Sequence, residues 1–317
     1  MNIIKNRYWY FLLSLLVIIP GLVFMYLNFR ADGAVLPLSP DFTGGSLLEV
    51  QFSAQRPSAD KVRGVYAKLS TEEYPINDPI IQPLGEDAYS IRSKQVTEET
   101  KAAIVNELQT ISGGEVTLLN FTSISPAVGK EVTNAAGFAI LMAAFAILGY
   151  IWYAFRGVQH SFRFGAAAVI AMLHDVFVVI GVEAILGYFL HWEADALFLT
   201  ALLTVIGFSV HDTIVVFDRV RENSLVYRRV EYETMVNHSI IQTLDRSINT
   251  QMTVMFTLFA LALFGGESIR HFVIILLVGI FSGTYSSIFN ASPILVVWEK
   301  REWRNWFRRK EETATTM

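Results

Sequence analysis

The chain has 317 residues, 53% of them hydrophobic and 17% charged, with a net charge of −4 and no cysteine. That charge gives no footing for a nucleic-acid partner, and the lack of cysteine excludes disulfides, thiol chemistry and thiolate metal sites. The hydrophobic residues fall in blocks, several reaching the ~20 residues that cross ~30 Å of hydrocarbon as a helix.

In chain order, Lys5 and Arg7 mark a short N-terminus (1–7) before a charge-free run at 8–29. This run is too long for a signal-peptide core and no convincing cleavage site follows it, so it reads as an uncleaved first span. Residues 30–131 are then a long extracytoplasmic segment holding a small α+β domain. SLLEVQF (46–52) alternates as a half-buried strand. SADKVRGVYAKL (58–69) has a serine cap and apolar residues at helical spacing. PIIQPL (79–84) and AYSIRSK (88–94) flank a turn. TEETKAAIVNELQTI (97–111) begins with two acids, which suit a helix N-terminus. EVTLLNFTSI (115–124) is the last strand. The order βαββαβ is that of a ferredoxin-like domain.

Five further spans are expected at 132–155, 164–190, 196–217, 241–266 and 271–298. An amphipathic connection at 218–240 reads as an interfacial helix, and 299–317 form a tail. The fold class is therefore a polytopic six-helix membrane protein with a ferredoxin-like domain between helices one and two. Lys and Arg concentrate at the two ends and at Arg156, Arg163, Arg219, Arg221, Arg228 and Arg229. Short loops on the other side hold one Arg, which places both termini in the cytoplasm. Ala135, Ala139 and Ala143, and Gly279 and Gly283 beside Ser282, Ser286 and Ser287, read as close helix packing.

The fourth span contains an ionisable pair, His211 and Asp212, in a run otherwise fit for lipid. An isolated carboxylate there costs roughly 2.5–3.5 kcal/mol on insertion scales, and intramembrane carboxylates usually mark ion or proton pathways. LHDVFVVIG (173–181) echoes VHDTIVVFD (210–218), which adds His174 and Asp175. Arg246 lies about as far inside the fifth span as Asp212 lies inside the fourth, ~7 Å from the inner edge. The two are therefore expected to pair, whether as a working site or as a static ion pair that fixes register. Gln242, Thr243, Asn249, Thr250 and Thr253 continue a polar side of the fifth helix that can carry water. Glu183 and Asp218 fall near span ends, where a solvated role is expected.

Two motifs carry a family resemblance. DFTGGSLLEVQF (41–52), with Asp41, Phe42, Gly44 and Gly45, resembles the signature that opens the periplasmic domain of the SecF family. HDTIVVFDRVREN (211–223), with Asp218, Arg219, Arg221, Glu222 and Asn223, resembles that family's most specific motif. QTLDRSINT (242–250) and FGG (264–266) also match, and the resemblance covers nearly the whole chain. It implies a subunit of the SecD–SecF accessory complex, related to resistance–nodulation–division transporters. Its implied partners are a SecD-like six-span subunit, the SecYEG translocon, the unfolded polypeptide in transit, and protons.

The resemblance also implies use of proton motive force in a plasma (inner) membrane or an internal one such as the thylakoid. It carries the family's membrane Asp onto Asp212 and its partner Arg onto Arg246. No covalent chemistry, metal or cofactor is called for. The rival readings are a proton-coupled exporter of small molecules, an intramembrane aspartyl protease using Asp175 and Asp212, and a passive scaffold.

Overall fold

Six helices among the described residues are long and apolar enough to cross a membrane. The computed structural model describes residues 2–71, 75–76, 78–157 and 160–302. The expected basic tail, with Arg304, Arg308, Arg309 and Lys310, lies outside the described residues. The chain divides into two units: Met1–Pro37, Ile140–Trp192 and Leu197–Met317 make one, and Leu38–Ala139 with Glu193–Ala196 make the other. The first helix, α1, runs Arg7–Asp32 and closes on Gly33 at φ +73°.

The second unit begins with a helical turn, α2 (Pro40–Thr43), and β1 (Gly45–Phe52). There follow α3 (Ala59–Leu69), β2 (Ile80–Leu84), β3 (Ala88–Ser93), α4 (Glu98–Ser112) and β4 (Val116–Ile124). The sheet order is β2-β3-β1-β4, antiparallel throughout, which is the split βαβ arrangement. Period-two alternation sends Leu48, Val50 and Phe52 of β1 to one face. There they pack with Val62, Val65 and Tyr66 of α3 and Ile104 and Leu108 of α4. Burial pushes the Tyr66 hydroxyl well above its ordinary value, because the charged form would lose its water. Thr97 caps α4, its Oγ1 accepting the Thr100 N–H at 3.3 Å, and Glu98 and Glu99 occupy the first turn.

The long helices are α5 (Pro126–Ala154), α6 (Ser161–Leu190), α7 (Ala196–Val226) and α8 (Tyr232–Phe264). All but residues 126–139 and Ala196 belong to the first unit. The last span is α9 (Glu267–Ser286), a π turn at Ser287–Ala291, then α10 (Ser292–Glu299). Pro293 explains the break: it offers no N–H to the turn before it, and a widened turn absorbs the loss. The separate interfacial helix expected at 218–240 is absent. Instead α7 continues to Val226 and α8 starts at Tyr232, because nothing in DRVREN breaks a helix once it leaves the apolar run. The buried Asn223 then locks the hairpin, donating to Ser239 Oγ at 2.8 Å and Gln242 Oε1 at 2.9 Å.

Small residues set two close helix crossings. Gly283 lies where an added Cβ would sit 3.2 Å from Ser209, and Gly279 faces Val205. Gly21 of α1 and Gly181 of α6 meet backbone to backbone, a Cβ on Gly181 landing 2.9 Å from the Gly21 Cα. By contrast Ala135, on the expected stripe of the second span, is exposed in this chain. Gly181→Leu is expected to cost about 1–3 kcal/mol by overpacking, seen as a lower unfolding midpoint in detergent. An unchanged midpoint would mean α1 and α6 separate freely.

At one end of the bundle Arg7 pairs with Glu302 and with Glu233 at 3.3 Å. Lys300 pairs with Glu231 at 2.8 Å and with Glu233. Hydrogen bonds to Glu231 and then Glu233 hold the Lys300 ammonium above its ordinary value. These contacts tie α1, α8 and the end of α10 together.

Candidate functional site

Two buried aspartates lie inside the bundle, each held by hydroxyls from other helices. Asp212 of α7 is 4% exposed. Its Oδ1 accepts from Ser247 of α8 at 2.8 Å, and its Oδ2 from Ser287, the first residue of the π turn, at 2.8 Å. Asp175 of α6 is fully buried. Its Oδ2 accepts from Ser209 of α7 at 2.5 Å and Ser286 of α9 at 2.6 Å. Its Oδ1 accepts from Ser282 at 2.6 Å and faces His174 Nδ1 at 3.0 Å.

Helix geometry produces this arrangement directly. Ser282 and Ser286 are four residues apart and share a face, so both reach Asp175. Ser287 is rotated about 100° from Ser286, so it addresses the neighbouring helix and finds Asp212. Consecutive serines at the mouth of the π turn thus grip two carboxylates on two helices. Each hydroxyl also has a fallback acceptor on its own helix: Gly283 O at 3.2 Å for Ser286 and Thr284 O at 3.0 Å for Ser287. A hydroxyl has one proton to give. Ser286 and Ser287 can therefore each bond either to a carboxylate or to a carbonyl of their own helix.

The structure departs from the expected pairing. Arg246 is exposed and is not a partner of Asp212, whose place is taken by Ser247 one position on. If Ser247 faces Asp212, its neighbour must point about 100° away. The polar side of α8 is real but points outward: Gln242, Asn249, Thr250 and Thr253 are exposed with Arg246, while Thr243, at the edge of that stripe on the side of Ser247, is buried. His211 is exposed, and His174 instead leans on the carboxylate beside it. The His174 Nε2 is buried without a partner among the described residues. The ring borders an apolar groove of about 520 Å³ shared with Leu13, Val17 and Tyr285. Glu183, expected to be solvated, is fully buried against His271. Asp218 is half exposed and pairs with Arg221 at 2.7 Å.

The remaining motif residues are structural. Gly44 and Gly45 take φ +74° and +118°, and a Cβ at Gly44 would lie 2.5 Å from the Pro126 Cα. Phe42 O accepts from Thr133 Oγ1 at 3.1 Å, and Asp41 Oδ2 accepts the Ala196 N–H at 2.9 Å. Arg219 pairs with Glu222 at 2.7 Å, and Arg221 donates to Ala154 O at 3.3 Å. The five serines around the carboxylates are the functional residues that sequence reasoning missed. Ser282, Ser286 and Ser287 read there as packing residues. The usable signal was a hydroxyl pair at helical spacing at the depth of a carboxylate.

The hydroxyls give a measurable expectation. A hydrogen bond to a charged group contributes about 1.5–3 kcal/mol and a neutral one about 0.5–1.5. Ser247→Ala and Ser287→Ala should therefore each lower the unfolding midpoint in detergent, because each leaves one oxygen of a buried carboxylate without its donor. Unchanged midpoints in both would mean that the two hydroxyls do not hold Asp212.

Asp175 and Asp212 accept from separate serines, and no direct bond joins them among the described residues, unlike a dyad that shares one proton.

Comparison with known proteins gives a consistent picture. The family model described as protein export membrane protein SecD/SecF, C-terminal, matches residues 103–301. A protein translocase subunit SecF of Anaerolinea thermophila is 50% identical over 317 residues, covering 99% of this chain and 99% of that protein. One from Thermobaculum terrenum is 48% identical over 325 residues, covering 99% and 98%. The crystal structure of SecDF, a translocon-associated membrane protein from Thermus thermophilus, matches with a TM-score of 0.76 at 30% identity. That match covers 95% of this chain but 39% of the longer SecDF chain.

Proposed function

The chain belongs to the SecD/SecF family of protein-export membrane proteins, and from that premise we propose that it uses proton motive force to assist export, with Asp212 as its proton-binding group. As a multi-pass accessory subunit of the Sec translocase it needs no catalytic chemistry of its own. The observation that carries the reading is the Asp212 carboxylate, buried in an apolar bundle and gripped by hydroxyls of two other helices, one at the head of a π turn. Taking up a proton removes the charge, releases the Ser287 hydroxyl toward Thr284 O and loosens the grip on the π turn. A π turn stores a residue of slack, so α9 and α10 can shift against α7.

One proton crossing 100 mV supplies about 2.3 kcal/mol, roughly fifty-fold in a two-state equilibrium. In our reading α5, continuous from Pro126 to Ala154, carries the displacement to the ferredoxin-like domain, which handles the emerging polypeptide. In this reading both termini lie on the cytoplasmic side of the inner membrane, an orientation that the basic ends and loops support.

The outward stripe of α8 supports a six-span partner subunit. An arginine with Gln242, Asn249, Thr250 and Thr253 cannot face hydrocarbon cheaply, so a SecD-like partner is the natural cover, with SecYEG as the channel served. Arg246 then acts on protons from that interface rather than as the ion-pair partner of Asp212. The test is export into vesicles holding the complete translocase, with and without a proton gradient, for the wild type and Asp212→Asn.

A further inference from the structure

We propose that Glu183 and His271 form a second proton-holding site, at the end of the bundle where α6 finishes and α9 begins, through which protons enter on their way to Asp175 and Asp212. This rests on the reading that protons drive the protein. Glu183 lies seven residues before the end of α6, ~10 Å of helix, and is fully buried. Its Oε2 is 2.8 Å from His271 Nε2, and its Oε1 is buried with no partner among the described residues. A buried polar atom left unpaired in a native structure calls for an explanation.

The contrast with Asp175 is informative. Both oxygens of Asp175 are occupied, by three hydroxyls and a ring nitrogen. Glu183 has one partner, and that partner can itself hold a proton. A lone buried charge with a bare oxygen is costly, and a proton on the carboxyl relieves that cost.

The surroundings add no compensating charge from the bundle interior. On α6 the nearest titratable groups are Tyr188, five residues outward and exposed, and, on the inner side, Asp175, eight residues or ~12 Å away, with His174 beside it. On α1 the facing group is the neutral Asn28 amide, which donates to Ala184 O at 3.1 Å, and Arg30 is exposed at the helix end. On α9, Arg270 precedes His271 and is partly exposed. The first fifteen residues of α7, 196–210, and residues 132–154 of α5 carry no Asp, Glu, Lys or Arg.

His271 is placed to pass a proton in. Its side chain is 19% exposed while that of Glu183 is wholly covered, and its ring lies 4.7 Å from the Trp192 ring. The step balances simply. A proton from water binds His271 Nδ1, the nitrogen that Glu183 does not contact. The Nε2–H bond breaks as that proton moves to Glu183 Oε2. The result is a neutral carboxylic acid beside a neutral imidazole of the other tautomer, with one proton gained. Turning that tautomer back lets the carboxyl proton travel inward toward Asp175, across a ~12 Å gap that water or helix rotation must bridge.

The experiment uses the complex with its partner subunit in liposomes. It follows the carboxylic acid C=O infrared band against outside pH, and gradient-driven export in parallel. Wild type is expected to show a band that titrates with outside pH, lost in Glu183→Gln, retained in Asp212→Asn and displaced in Glu183→Asp. Export stimulation in Glu183→Gln should fall toward the level seen without a gradient, a loss of up to about fifty-fold per 100 mV. His271→Gln should keep the band but move its pH midpoint, which covers the case of a poorly folding Glu183→Gln.

A band and a pH response that persist in Glu183→Gln, or a midpoint unmoved in His271→Gln, would overturn the site. If Glu183→Gln is unaffected while Asp212→Asn is inactive, this site alone is wrong. If Asp212→Asn exports normally, the reading beneath it fails.

Discussion

Asp212→Asn is expected to abolish gradient-driven export while leaving the protein folded and paired with its partner. The amide has nearly the volume of the carboxylate. Its oxygen can still accept from Ser247 or Ser287, and its NH2 can donate to the other hydroxyl, which accepts as readily as it donates. Packing and most of the hydrogen bonding therefore survive. The ability to change charge does not, and the proton's contribution of about 2.3 kcal/mol per 100 mV has nowhere to act. Export in the variant should fall to the level seen without a gradient, whatever gradient is imposed. The measurement is translocation of a secretory polypeptide into vesicles, read as a ratio with and without an uncoupler. A ratio equal to that of wild type would remove Asp212 from the mechanism.

The largest loss of stability is expected at Asp175. Asp175→Leu leaves the hydroxyls of Ser209, Ser282 and Ser286 and the His174 ring without their common acceptor, in a place water does not reach. Ser286 can retreat to Gly283 O, whereas Ser209 and Ser282 have no second acceptor among the described residues. Removing one partner from a buried charged network costs about 3–5 kcal/mol. Asp175→Asn should cost much less, because the amide keeps an acceptor and the hydroxyls can turn. The check is the unfolding midpoint of both variants in detergent. A Leu variant as stable as the Asn variant would show that the serine cluster contributes nothing to holding α6, α7 and α9 together.

Much of this was legible in the sequence because it depends on composition and period. The six apolar runs, the alternation in β1 and the Thr97 cap are local facts, and each has its counterpart in the structure, although α7 runs nine residues beyond its expected end and α8 begins nine residues before its expected start. The DFTGG motif was readable as a motif, and the structure supplies its reason: two positive-φ glycines seated against Pro126. The partner of Asp212 was not readable. Depth along a helix follows from counting, but which side faces inward depends on how neighbours pack, and a single position separates Arg246 from Ser247. Glu183 was misplaced for a related reason. Its distance from the span end suggests water, yet His271 and the close approach of α1 at Gly181 seal it. The end of α7 was missed because leaving the apolar run does not stop a helix; only the segment at 227–231 does.

The most direct test of the central claim is the rate at which the purified complex, reconstituted in liposomes, carries protons down an imposed gradient, followed with a pH-sensitive dye inside the vesicles. Wild type is expected to collapse the gradient faster than protein-free liposomes, and Asp212→Asn to match the protein-free rate. If Asp212→Asn carries protons as fast as wild type, the buried carboxylate between Ser247 and Ser287 is not the group through which protons act.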